Sequence, residues 1–140
     1  MSHIDGMTLP LARILIVDDE PDNRTLLEII LERAGFAALT AATGKEALDS
    51  VAKSPPHLIL LDVMMPEMDG YQVAACLKAN PVTKRIPIMF ISAASDGTSR
   101  TRALAAGAEE FLTKPIDRAA LCQRVKELLR LRVSRSNECK

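Results

Sequence analysis

The sequence has no excess of either charge: 18 lysine and arginine residues balance 18 aspartate and glutamate residues. Nothing in that balance draws the whole molecule to nucleic acid or to an anionic lipid surface. Histidine is scarce. His3 and His57 stand isolated, so neither a histidine-based metal site nor a histidine nucleophile has support. The cysteines, Cys76, Cys122 and Cys139, are odd in number and widely spaced. Cys76 and Cys122 fall in apolar helical patterns and are expected as buried or half-buried thiols, as a reducing cytoplasm leaves them. Long apolar runs are missing too. Stretches such as Leu58 to Leu61 are one strand long, far below the ~20 residues that cross a bilayer, so no membrane association is expected. Met1 to Pro10 lacks the charged-then-apolar build of a secretion signal, and a cytoplasmic location is expected.

What is there is ordinary for one globular domain: 140 residues, 48% hydrophobic and 26% charged. Apolar runs of strand length alternate with segments of helical period, five times over. Strands are predicted at Arg13 to Val17, Phe36 to Ala41, His57 to Asp62, Ile86 to Ser92 and Glu109 to Thr113. The first is apolar without alternation, as a strand buried on both faces is, and the second is the weaker signal. Helices are predicted at about Pro21 to Ala34, Gly44 to Ser54, Asp69 to Ala79, Thr98 to Ala106 and Asp117 to Leu131. Gly35 and Gly107 stop the first and fourth, Thr43 and Glu46 have capping-box spacing, and Asp69 and Asp117 are predicted as N-caps. Residues 1–11 and 132–140 read as tails around a domain over 12–131. Such βα alternation requires parallel strands with right-handed crossovers, hence an α/β doubly wound sheet. Ligands then gather at the carboxyl ends of the strands.

That rule sorts the polar residues. The first strand runs out into Asp18-Asp19, the third into Asp62, the fourth into Ser92 and the fifth into Lys114, while the second delivers nothing polar. Three carboxylates packed together repel, and a divalent cation is the simplest counter-charge. An all-oxygen site with room for water suits Mg²⁺. A carboxylate nucleophile with metal, lysine and hydroxyl makes a phosphoryl-transfer site, in which the aspartate forms an acyl phosphate.

The runs Ile14-Leu15-Ile16-Val17-Asp18-Asp19-Glu20, Leu60-Leu61-Asp62-Val63-Met64-Met65-Pro66-Glu67-Met68-Asp69-Gly70, Ser92-Ala93 and Phe111-Leu112-Thr113-Lys114-Pro115 resemble the receiver domain of two-component response regulators. The likeness covers about residues 12 to 131. It implies a flavodoxin-like (βα)5 fold with strand order 2-1-3-4-5. Asp62 is then the phosphoacceptor, Ser92 the switch hydroxyl, Phe111 the switch aromatic and Lys114 the partner of the phosphoryl group. For Mg²⁺ the resemblance implies Asp19 and Asp62 through their carboxylates, Met64 through its main-chain carbonyl and Asp18 through a bound water. It also implies a cis Lys114-Pro115 bond.

By the same likeness the donor is a histidine kinase or a histidine phosphotransfer protein, docking on the first helix. There Leu26, Leu27, Ile30 and Ala34 form the predicted core stripe, and Ile29 and Leu31 widen it. Phosphorylation is expected to draw in Ser92 and Lys114, turn Phe111 inward and remodel the face of the fourth helix, fifth strand and fifth helix. That face serves output and possible homodimerisation. No sequence after about Leu131 is left for an effector, so output goes through a downstream protein, or the chain is a receiver from a longer protein. From Asp117 on, seven basic residues face three acidic ones. Without aromatic interleaving this reads as a solvated helix face, and direct nucleic-acid binding is not expected. The chain is expected to be a switch and not an enzyme. The competing readings are an inert pseudo-receiver, opposed by a fully occupied site, and an aspartyl-nucleophile phosphatase, opposed by the missing DxD pattern and capping insertion.

Overall fold

The computed structural model describes residues 11–93 and 97–138. Apart from Leu11, the predicted N-terminal tail lies outside them, as does Cys139. The elements alternate as β1 Arg13–Val17, α1 Pro21–Arg33, β2 Ala37–Ala41, α2 Gly44–Lys53, β3 Leu58–Asp62, α3 Gly70–Ala79, β4 Ile88–Ser92, α4 Gly97–Ala105, β5 Glu110–Thr113 and α5 Arg118–Glu138. All pairings are parallel and the strand order is β2-β1-β3-β4-β5. The expected flavodoxin-like sheet is therefore present, with its switch in strand order between β1 and β3.

Successive residues of the buried strands face opposite layers. Leu15, Val17, Ile59, Leu61, Ile88 and Phe90 pack with α2, α3 and Ala103 of α4. Ile14, Ile16, Leu58, Leu60, Met89 and Ile91 pack with α1 and α5, whose contributions include Leu27, Ile30, Leu31, Leu121 and Val125. Every strand residue of β3 and β4 is buried, which is why those runs show no alternation.

Local chemistry sets the ends. Gly35 and Gly107 both have φ of 98° and close α1 and α4 in the left-handed region. Asp69 caps α3 reciprocally: its Oδ1 accepts from Gln72 N–H at 2.9 Å, and Gln72 Oε1 accepts from Asp69 N–H at 2.9 Å. In α2 the Thr43 hydroxyl oxygen accepts from Glu46 N–H at 3.1 Å, while Glu46 reaches back one residue further than predicted, to Ala42 N–H. β4 begins at Ile88 and not Ile86, because Pro87 has no N–H for the ladder.

Three expectations are corrected. On α1, Leu31 is fully buried and belongs to the core, whereas Leu26 is 53% exposed. Cys76 is exposed, on the flank of the α3 face set by Val73, Ala74 and Leu77. Helix α5 continues through Glu138, beyond the expected end near Leu131, since no glycine or proline occurs there to stop it.

Candidate functional site

The polar groups at the carboxyl ends of β1, β3 and β5 converge. Lys114 Nζ lies 3.4 Å from Asp18 Oδ2 and 3.8 Å from Asp62 Oδ2. Asp18, Asp19 and Asp62 can each place a carboxylate oxygen within 4.8 Å of the others. Asp18 and Asp62 are buried, and Asp19 stands nearer solvent.

Each acid is fixed by its local backbone. Asp18 N–H donates to Ala41 C=O at 3.2 Å, which extends the β1–β2 ladder by one residue. Asp18 Oδ1 accepts from Glu20 N–H at 2.9 Å, and Arg24 of α1 donates to the Asp18 carbonyl at 2.8 Å. This clamp leaves Asp18 Oδ2 for Lys114. Asp62 Oδ1 accepts from Met64 N–H at 3.4 Å. Glu67 in the following loop has φ of 68°, and Gly70 N–H closes that loop on Val63 C=O at 2.9 Å. On the far side, Lys114 N–H donates to Ser92 C=O at 2.8 Å, joining the ends of β4 and β5. The Lys114-Pro115 bond is cis, as the resemblance implied.

Burial, and then the Asp18 carboxylate, pushes the Asp62 carboxyl from 3.8 up to about 6, against the opposing pull of Lys114 and Met64 N–H. One ammonium does not offset three neighbouring carboxylates. The donor set is oxygen only, partly open to water and short of positive charge, and it fits a hard divalent cation.

Ser92 is fully buried at the end of β4, and the Met64 side chain is 67% exposed. Phe111 of β5 is buried, 2% exposed. The exposed α1 residue Leu26 lines a shallow cavity of about 220 Å³ with Asn23, Leu27, Lys114, Pro115 and Ile116. His57, predicted to carry no chemistry, accepts from Arg13 N–H at 2.8 Å and ties β1 to the start of β3. Sequence reasoning missed Arg24, whose only signal was a basic residue one turn into the helix that follows the acid pair.

Residues 14–126 match the family model of the response regulator receiver domain. Response regulator PleD of Caulobacter vibrioides is 45% identical over 122 residues, covering 87% of this chain and 27% of that protein. Transcriptional regulatory protein PrrA of Mycobacterium tuberculosis is 42% identical over 129 residues, covering 92% of this chain and 54% of that one. The chain thus spans between about a quarter and about half of the length of these relatives. Among solved structures, a CheY-like response regulator receiver domain protein from Methanospirillum hungatei superimposes with a TM-score of 0.82 at 28% identity, over 89% of this chain and 98% of that one.

Proposed function

The chain belongs to the response regulator receiver domain family of two-component systems, and from that membership we propose that it accepts a phosphoryl group on Asp62. The observation that carries this reading is Lys114, set between two buried carboxylates at the ends of β1 and β3. In the transfer, an Asp62 carboxylate oxygen attacks phosphorus in line. The new O–P bond forms as the P–N bond of a phosphohistidine donor breaks, and the departing imidazole takes a proton from water. Lys114 is positioned to exchange its carboxylate contacts for phosphoryl oxygens, and the Ser92 hydroxyl donates to another.

Asp19 and Asp62 would hold Mg²⁺ through their carboxylates, Met64 through its main-chain carbonyl and Asp18 through water. The ion supplies charge neutralisation at the phosphoryl oxygens. The apolar cavity between α1 and the residues after β5 suits docking of a histidine kinase or histidine phosphotransfer protein. Its exposed Leu26 joins Ile29, 43% exposed, on the same helix. Output runs through the face of α4, β5 and α5, where Leu104 is 49% exposed. That face serves a downstream protein, an effector domain in a longer chain, or a second copy. Among the described residues no helix is long and apolar enough to cross a membrane, and the proposed site of action is the cytoplasm. The receiver unit is placed over residues 12–131 in this reading, with α5 running on to Glu138.

Lys114→Ala tests the site chemistry. Loss of one preorganised cation is expected to slow phosphorylation by phosphoramidate about 100-fold, and label taken up by the wild type is released by hydroxylamine, as an acyl phosphate is. A rate within threefold of wild type would remove Lys114 from the transfer.

A further inference from the structure

Helix α4 is held to the domain by very little apolar burial. Among its described side chains only Ala103 is buried, while Arg100, Thr101, Arg102, Leu104 and Ala105 are exposed. Alanine offers the smallest side-chain surface of any apolar residue, so other contacts must set where the helix sits. Two arginines provide them. The Arg100 guanidinium lies 5.5 Å from the centroid of the Phe111 ring, and Arg100 also donates to the Phe111 carbonyl at 3.4 Å. The Arg102 guanidinium lies 4.2 Å from the centroid of the Tyr71 ring on α3.

The two covered rings are linked through the core. Phe111 pairs with Phe90 across the β4–β5 ladder, and the Phe90 ring is 5.4 Å from that of Tyr71 at an interplanar angle of 54°. Phe111 and Phe90 thus share one core cluster against which Tyr71 packs, and an arginine of α4 covers the Phe111 and the Tyr71 ring. A guanidinium is suited to this: it stays charged, stacks on a ring face and keeps its other donors in water.

We propose that Arg100 and Arg102 are positioning residues of the switch. Arg100 holds Phe111 inward, and Arg102 fastens α4 to α3 through Tyr71. Phenylalanine has no hydroxyl to mark an inward position, and the Arg100 contacts take the place of one. This inference rests on the reading of Phe111 and Ser92 as the switch of the phosphoacceptor site. Because coupling between two sites is reciprocal, whatever favours the inward ring also favours the phosphorylated form.

The sequence supplies its own probe. With one tyrosine and no tryptophan, intrinsic fluorescence reports Tyr71 alone. Fluorine NMR of the full chain carrying fluorophenylalanine reports Phe111, assigned with Phe111→Leu. In the unphosphorylated protein, Arg100→Ala is expected to raise the ratio of outward to inward Phe111 ring roughly two- to fivefold, the change set by one exposed cation–π contact. Arg100→Lys, which keeps the charge but not the planar face, falls between. Arg102→Ala is expected to increase quenching of Tyr71 by acrylamide. With acetyl phosphate and Mg²⁺, Arg100→Ala lowers the extent of phosphorylation at limiting donor by the same factor as the ring ratio. A Phe111 signal unchanged in Arg100→Ala would overturn the proposal. A ring that moves in a protein that no donor phosphorylates would leave the latch standing and remove the functional reading instead.

Discussion

Asp62→Asn is expected to make the metal-free protein more stable at pH 7.5, by about 1–3 kcal/mol. An ordinary aspartate releases its proton near 3.8, whereas Asp62 in the fold keeps its proton up to about 6, chiefly because it is buried and secondly because Asp18 is beside it. Between those values the unfolded chain has lost a proton that the folded chain still binds, so stability falls as pH rises. Above about 6 the whole cost is present. The rise from 3.8 to about 6 corresponds to about 3 kcal/mol, an upper figure because water at the mouth of the site screens the carboxylates. Asparagine cannot ionise and avoids that cost. Urea unfolding in EDTA checks this: the advantage of the variant is largest at pH 7.5 and shrinks as pH falls through 6 towards 4. Saturating Mg²⁺ narrows the gap by stabilising only the wild type, by RT ln(1 + [Mg²⁺]/Kd). A variant less stable than wild type at pH 7.5 without metal would mean that the cluster is not under the repulsion described.

Gly70→Ala is expected to lower stability and to slow the chemistry together. A Cβ at this position would overlap the main-chain carbonyl oxygen of Asp62 and stand 3.0 Å from both Phe90 Cε1 and Val63 Cα. Two of those neighbours are backbone and cannot rotate away, so the strand end or the start of α3 has to move. Overpacking of this kind costs about 3 kcal/mol. The atom that is displaced belongs to the phosphoacceptor residue itself. A misplacement of about 1 Å in a reacting group can cost about 100-fold in rate, so phosphorylation by acetyl phosphate is expected to slow by that order. Thermal unfolding measures the first effect and the initial rate of phosphoryl uptake the second. A variant that melts like wild type and is phosphorylated at the wild-type rate would show that α3 can shift without moving Asp62.

Much of this architecture was legible in the residues. A run such as Leu58 to Leu61, apolar without alternation, suits a strand covered on both faces, and β3 is buried throughout. Once the alternation of strands and helices fixed the parallel sheet, Asp18, Asp19, Asp62, Ser92 and Lys114 had to arrive at one edge, and Lys114 does reach both Asp18 and Asp62. What was hidden depends on rotation and on neighbours. Leu26 and Leu31 are both apolar residues of one helix, and period alone could not decide which of them faces the sheet. The burial of Phe111 depends on α4, whose sequence from Gly97 to Ala105 carries little apolar signal and whose arginines look like ordinary surface charge until their ring partners are seen. Arg24 acts through a main-chain carbonyl, and no side-chain pattern encodes that partner.

The most direct measurement is intact mass after incubation with acetyl phosphate, for wild type and Asp62→Asn, with Mg²⁺ and with EDTA. The proposed function predicts the gain of one phosphoryl group in the wild type with Mg²⁺ and none in the variant or in EDTA. No gain in the wild type with any small donor, or an equal gain in the variant, would contradict it. The first result would leave a receiver fold that serves as an interaction module, and the second would move the phosphoacceptor away from Asp62.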